Sequence, residues 1–164
     1  MPPVNLRRSV RAIILDEDDC ILLCRFAIPE PAGTVVWAAP GGGIEPGETP
    51  LAALRRELRE EVGLAIRTDP PHVWQQEVVA HGHAAGYDGV INDYFLVRTA
   101  RFNPRGTLSD DELAAENVSG LKWWKPREIA CYDGSDAFSP RDLATPLAAL
   151  ITSGVPTEPV RLGL

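Results

Sequence analysis

The sequence predicts a single α/β domain in which a mixed β-sheet is sandwiched between helices. Three observations predict it. Short runs rich in β-branched residues stand both before and after one well-marked amphipathic helix, a second apolar helical pattern lies near the end of the chain, and 45% of the 164 residues are hydrophobic, ample for a real core. Residues 1–154 are expected to form the domain, and residues 155–164, with Pro156 and Pro159, an extended C-terminal tail.

Charge and cysteine usage narrow the function. A net charge of −7 and a pI of about 4.9 argue against an electrostatic grip on polymeric nucleic acid. A small anionic substrate would need a local cation or metal. The three cysteines, Cys20, Cys24 and Cys131, form no zinc-type or redox pair and read as reduced thiols. No apolar run approaches the roughly 18 residues of a membrane span, and the N-terminal stretch lacks the apolar core of a signal peptide. The expected location is cytoplasmic, with no membrane partner.

In chain order, residues 9–15 read as a strand, residues 16–19 as a polar turn, and residues 20–26 as a second strand completing a hairpin. Alternation puts Ile21, Leu23 and Arg25 on one side, so Arg25 ends a mostly apolar row. On those grounds alone it is more often a salt-bridged edge residue than a phosphate ligand. Residues 28–33 form a loop around Pro29 and Pro31, residues 34–37 a short strand, and Gly41-Gly42-Gly43 a stretch whose backbone can approach a ligand closely.

The helix follows. Thr49 caps it, Pro50 suits its first turn, and Gly63 suits the left-handed position after its last. At about 100° per residue, Leu51, Leu54, Leu58 and Val62 share one stripe and Glu57, Glu60 and Glu61 another. Three carboxylates at this spacing repel one another. Either a hard divalent cation such as Mg²⁺ compensates them, or they form a solvated face paired with Arg55, Arg56 and Arg59. The spacing alone leaves both open.

The stretch does not stand on spacing alone. Gly42, five residues, Glu48, seven residues, then Arg56-Glu57-Leu58-Arg59-Glu60-Glu61-Val62-Gly63-Leu64 resembles the Nudix box with every fixed position filled. The resemblance implies a Nudix-type α/β/α sandwich with a catalytic loop-helix-loop and a C-terminal helix. It implies hydrolysis of the diphosphate linkage in a nucleoside diphosphate joined to another group, such as a nucleoside triphosphate, a damaged dNTP or a nucleotide sugar. It further implies Mg²⁺, with Mn²⁺ able to substitute, held by Glu57, Glu60 and Glu61 together with a backbone carbonyl of the glycine stretch, Gly42. Glu48 and Arg56 become supports that orient the ligands, and Arg25 becomes a candidate for approaching the substrate. A small-molecule nucleotide is the implied partner, and homodimerisation is common in related proteins. The alternative is a catalytically silent module of the same family that senses a nucleotide or metabolite.

Beyond the box, residues 65–68 are expected to resume a strand that breaks at Asp69-Pro70-Pro71, and residues 72–80 and 91–98 to form two more. Between them lies a glycine-rich loop carrying His81 and His83, too thin a pair for a zinc site and read as substrate-side or merely exposed. Trp37 and this loop could stack on a base, although aromatic residues in such a domain are mostly core. Residues 107–118 form an acidic loop with one helical turn, ahead of a strand marked by Trp123-Trp124. Related enzymes often place a further glutamate there to close the metal shell or act as base. Glu116 is the first choice and Glu112 the second, against a plain solvated acid for either. With Glu116, Glu57 and Glu60 are the candidate bases. Residues 126–130 read as a short helix, and Ser139-Pro140 as the start of a terminal helix running to Gly154.

Overall fold

In a computed structural model, residues 3–29, 31–79 and 86–164 are described. The loop histidines, His81 and His83, lie outside the described residues.

Strand β1 (Leu6–Leu15) is central. It pairs in parallel with β6 (Gly89–Arg98) along its whole length, and β6 pairs antiparallel with β5 (His72–Val78). On its other edge it meets β2 (Ile21–Ile28) at Leu15↔Ile21, after a turn in which Asp16 Oδ1 accepts from the backbone N–H groups of Asp18 and Cys20, both at 2.9 Å. Strand β2 continues outward to β3 (Thr34–Ala38), which pairs in parallel with β8 (Ala137–Ser139). It also pairs with β7 (Val118–Trp124). The sheet is therefore mixed.

Each face carries its own core. On one, Val10, Ala12, Ile14 and Leu22 pack against Ala53, Leu54, Leu58 and Val62 of α1 (Pro50–Glu61) and its C-cap, all fully buried. Burying each leucine contributes about 1.5–3 kcal/mol. On the other, Ile13, Leu15, Ile21 and Leu23 pack with Trp37, Trp74, Tyr94 and Trp124 against Ile129 of α3 (Pro126–Ala130) and Leu147 and Leu150 of α4 (Ala144–Ser153). This is the sandwiched sheet expected from the pattern of strands and helices. Among the described residues, no helix is long and apolar enough to cross a membrane.

Several local expectations are corrected. Gly41–Gly43, expected as a glycine stretch or a plain turn, forms strand β4, paired antiparallel with Ser9–Arg11 of β1. Residues 65–68 form no strand, because the chain leaves α1 in an irregular run that returns only at His72. The terminal helix starts at Ala144 rather than at Ser139-Pro140, because Ser139 ends β8, paired with Ala38. Residues 160–162 form β9, a short parallel strand on the edge of β5.

Candidate active site

The site forms where the sheet forks. One edge of β1 pairs with β4 at residues 9–11 and with β2 at Leu15, so β4 and β2 diverge. The Glu61 carboxylate enters from the last turn of α1 and fills that gap. Its Oε1 accepts from Gly41 N at 3.1 Å, and its Oε2 accepts from the Cys24 thiol of β2 at 3.7 Å.

Helix α1 holds its carboxylates firmly because both of its ends are fixed. Thr49 Oγ1 accepts from Ala52 N at 3.2 Å. At the other end Gly63, with φ 77°, turns the chain so that Gly63 N donates to Leu58 O at 2.8 Å. A side chain there would also collide with the Arg105 carbonyl.

Arg56 organises the acidic face. Its Nε and Nη2 grip the two oxygens of Glu48, each at 2.8 Å, its Nη2 also reaches Gly43 O at 3.1 Å, and its Nη1 donates to Glu57 Oε1 at 2.9 Å and Glu60 Oε2 at 3.4 Å. Planar guanidinium geometry permits this simultaneous reach. The Arg56 hydrogen bond, with help from the Glu45 backbone contact, holds the Glu48 carboxyl down at about 2.

Glu57 and Glu61 are buried, at 8% and 1% exposure, while Glu60 is half-buried. Burial, reinforced by the neighbouring Glu57, pushes the Glu61 carboxyl up to about 8. Glu116 caps the C-terminal end of α2 (Asp110–Ala115), just ahead of β7, and is exposed. Desolvation raises its pKa first, and the charges of Glu57 and Glu60 raise it further, which places it within electrostatic reach of the box glutamates. Glu112 is committed elsewhere. It closes a capping box with Ser109, accepting from Ser109 N at 3.1 Å.

These are hard oxygen donors, the chemistry a divalent Mg²⁺ or Mn²⁺ takes. Gly42 supports the same fit, because a Cβ there would stand 2.5 Å from Glu57 Oε1, so the bare backbone lies directly against that carboxylate. Among the described residues no three acidic, imidazole or thiol side chains converge as a closed ligand set, and Arg56 bridges Glu57 and Glu60.

A cleft of about 760 Å³ opens beside the fork, floored by Arg7, Ser9 and Arg11 of β1, Asn92 of β6 and Gln76 of β5, with Phe26, Ile28, Val36, Val78 and Val90 as apolar walls. The face of β1 that carries Ile13 and Leu15 into the core thus changes to Arg7, Ser9 and Arg11 at the cleft. Arg7 lies over Gly43, and its charge acts on Glu116, as that of Arg11 acts on Glu61.

The structure brings together Gly42, Glu48, Arg56, Glu57, Glu60 and Glu61, while Glu116 touches none of them and is linked to Glu57 and Glu60 only through charge. It does not bring Arg25 or Trp37 to them. Arg25 Nη1 donates to Ser119 Oγ at 2.8 Å, away from the cleft lining. Trp37 is buried edge-on against Trp124, its Nε1 donating to Asp136 Oδ2 at 2.9 Å. Arg7 and Arg11 were not singled out from the sequence. Their signal was available in the polar, cationic positions 7, 9 and 11 on one face of an otherwise apolar strand.

Comparison with known proteins agrees with this fold. The NUDIX domain description matches residues 5–143. The nucleoside triphosphatase NudI of Salmonella newport is 32% identical over 129 residues, covering 77% of this chain and 88% of that protein. Among solved structures, the E. coli ORF135 protein superposes with a TM-score of 0.65 at 23% identity, covering 96% of this chain and 100% of the other. The MutT protein from Methanosarcina mazei Go1 does so with a TM-score of 0.65 at 21% identity, covering 93% and 99%. At those identities the two structures speak for the fold.

Proposed function

The chain belongs to the NUDIX domain family and is a Nudix hydrolase, and from that premise we propose that it hydrolyses the diphosphate linkage of a nucleotide in a Mg²⁺-dependent reaction. The nucleoside triphosphates are the first class to examine, because the 32% identical relative is named a nucleoside triphosphatase. The observation that carries the reading is Glu57 and Glu61 set against the bare glycine backbone of β4, with Glu60 tied to Glu57 through Arg56, next to a cleft floored by Arg7 and Arg11.

In this reading Glu57, Glu60 and Glu61, with the Gly42 carbonyl, would hold the cation, whose charge would supply neutralisation of diphosphate oxygens and a lowered pKa for a water. Arg56 and Glu48 keep the ligands oriented. Arg7 and Arg11 donate to phosphate oxygens that extend into the cleft. A carboxylate must take the proton of the attacking water. Glu116 suits this better than Glu57 or Glu60, because each of those already accepts from Arg56, whereas Glu116 is exposed and its pKa is raised.

The test is release of phosphate or pyrophosphate from a nucleotide panel with and without Mg²⁺. Metal-dependent turnover supports the reading. Tight nucleotide binding without turnover would instead make the protein a sensing module.

A further inference from the structure

We propose that residues 160–164 act as a positioning strap for the substrate cleft, working through Gln76 and Asn92 on Arg11. The inference rests on the reading that this cleft takes a nucleotide. The segment lies beyond the residues matched by the family description, 5–143, yet it reaches the cleft floor.

The connection is a directed chain of hydrogen bonds. Strand β9 pairs with β5 in the register Gln76↔Leu162, and one residue on, Gly163 O accepts from Gln76 Nε2 at 2.8 Å. A carbonyl can only accept, so it fixes which way the Gln76 amide points. The Gln76 Oε1 then accepts from Asn92 Nδ2 at 3.2 Å and Tyr94 Oη at 3.3 Å. With its nitrogen committed, Asn92 turns Oδ1 to Arg11 Nε at 3.3 Å, while Arg11 Nη1 donates to Ala39 O at 2.8 Å. Among the described residues no hydrogen-bond partner is present for Arg11 Nη2, which belongs to a side chain lining the cleft.

Turning the Gln76 amide over would set its oxygen against the Gly163 carbonyl and its nitrogen against Asn92 Nδ2. The Gln76–Asn92 and Asn92–Arg11 bonds thus depend on the first, whereas the Tyr94 hydroxyl, which can donate or accept, and the Arg11 bond to Ala39 do not. Gln76 and Asn92 are only 2% and 7% exposed, and burying two amides without partners is costly. An apolar pair would serve packing alone without that cost. Holding the Arg11 guanidinium at a set angle in the cleft is what the amide pair adds.

The test combines two readouts on two variants, Gln76→Leu and a chain ending at Pro159. Side-chain ¹⁵N spectra follow the Arg11 Nε–H signal, assigned by its disappearance in Arg11→Ala. Steady-state kinetics with a nucleoside triphosphate give KM and kcat separately. The expected result is loss of the protected Arg11 signal in both variants and a KM raised about tenfold, the loss of one well-placed charged hydrogen bond. The kcat value should stay within about threefold, and adding Gln76→Leu to Arg11→Ala should raise KM no further. An unchanged Arg11 signal overturns the proposal, as does an unchanged KM or a KM effect that multiplies with that of Arg11→Ala. If the wild-type chain hydrolyses no nucleotide, the functional reading fails and the strap stands or falls on the Arg11 signal. Should Gln76→Leu fail to fold, the chain ending at Pro159, which keeps every fully buried side chain, carries the test.

Discussion

Arg56 grips both oxygens of Glu48 at 2.8 Å, and its remaining nitrogen spans Glu57 and Glu60. One guanidinium therefore sets the attitude of three carboxylates at once. A lysine ammonium is a point charge and cannot reproduce a planar fork. Arg56→Lys should lower the hydrolysis rate about 10–100-fold, in the range seen when ligand-orienting partners are lost. Arg59→Lys, at an exposed position on the same helix, should leave the rate unchanged. Steady-state rates of the two variants across a Mg²⁺ titration make the comparison.

Two carboxylates pull the pH dependence of stability in opposite directions. Glu48 sits at about 2, below its unfolded value, so its contribution is present above an unfolded pKa of roughly 4.3 and is lost as pH falls toward 2. Glu61 sits at about 8, above its unfolded value, so the fold binds an extra proton. Stability of the metal-free protein should therefore fall as pH rises from about 4.3 toward 8, by at most about 1.4 kcal/mol per unit. Glu61→Gln should remove that slope. Melting temperatures of both forms in chelator at pH 5, 6, 7 and 8 check it, and parallel slopes would refute it.

Gly42 is proposed as a backbone ligand, and its bare backbone lies against the Glu57 carboxylate. Because an added Cβ would stand 2.5 Å from Glu57 Oε1, Gly42→Ala must displace that carboxylate. The Mg²⁺ concentration for half-maximal activity should rise about 10–100-fold, read from activity against metal concentration.

Glu116 and Glu112 separate cleanly. Glu116→Gln removes a carboxylate that feels the charges of Glu57 and Glu60, and kcat should fall about 10²–10⁴-fold. Glu112→Gln weakens only the cap on α2, so it should cost up to about 1 kcal/mol of stability and leave kcat alone. Melting curves and rates on the same two proteins distinguish the effects.

The helix at the centre of this site was legible because its signals are local. Thr49, Pro50 and Gly63 mark its ends, and the leucine and glutamate stripes follow from periodicity. What escaped depends on tertiary pairing. Gly41–Gly43 carries no strand signal because glycine has no strand preference, and it becomes β4 only because β1 supplies a partner. Arg25 and Trp37 look available in sequence, but Arg25 is drawn to Ser119 and Trp37 into the second core. Arg7 and Arg11 were overlooked because nothing in a lone strand says which face opens onto a cleft. Residues 160–162 gain their role from the free edge of β5, which the sequence does not display.

Hydrolysis of nucleoside triphosphates by the wild-type chain, Glu60→Gln and Glu61→Gln in saturating Mg²⁺ tests the central claim most directly. The proposed site predicts release of phosphate or pyrophosphate by the wild type, no release in chelator, and a rate at least about 10²-fold lower in each variant. No release from any nucleotide by the wild type, or full rates in both variants, would contradict it.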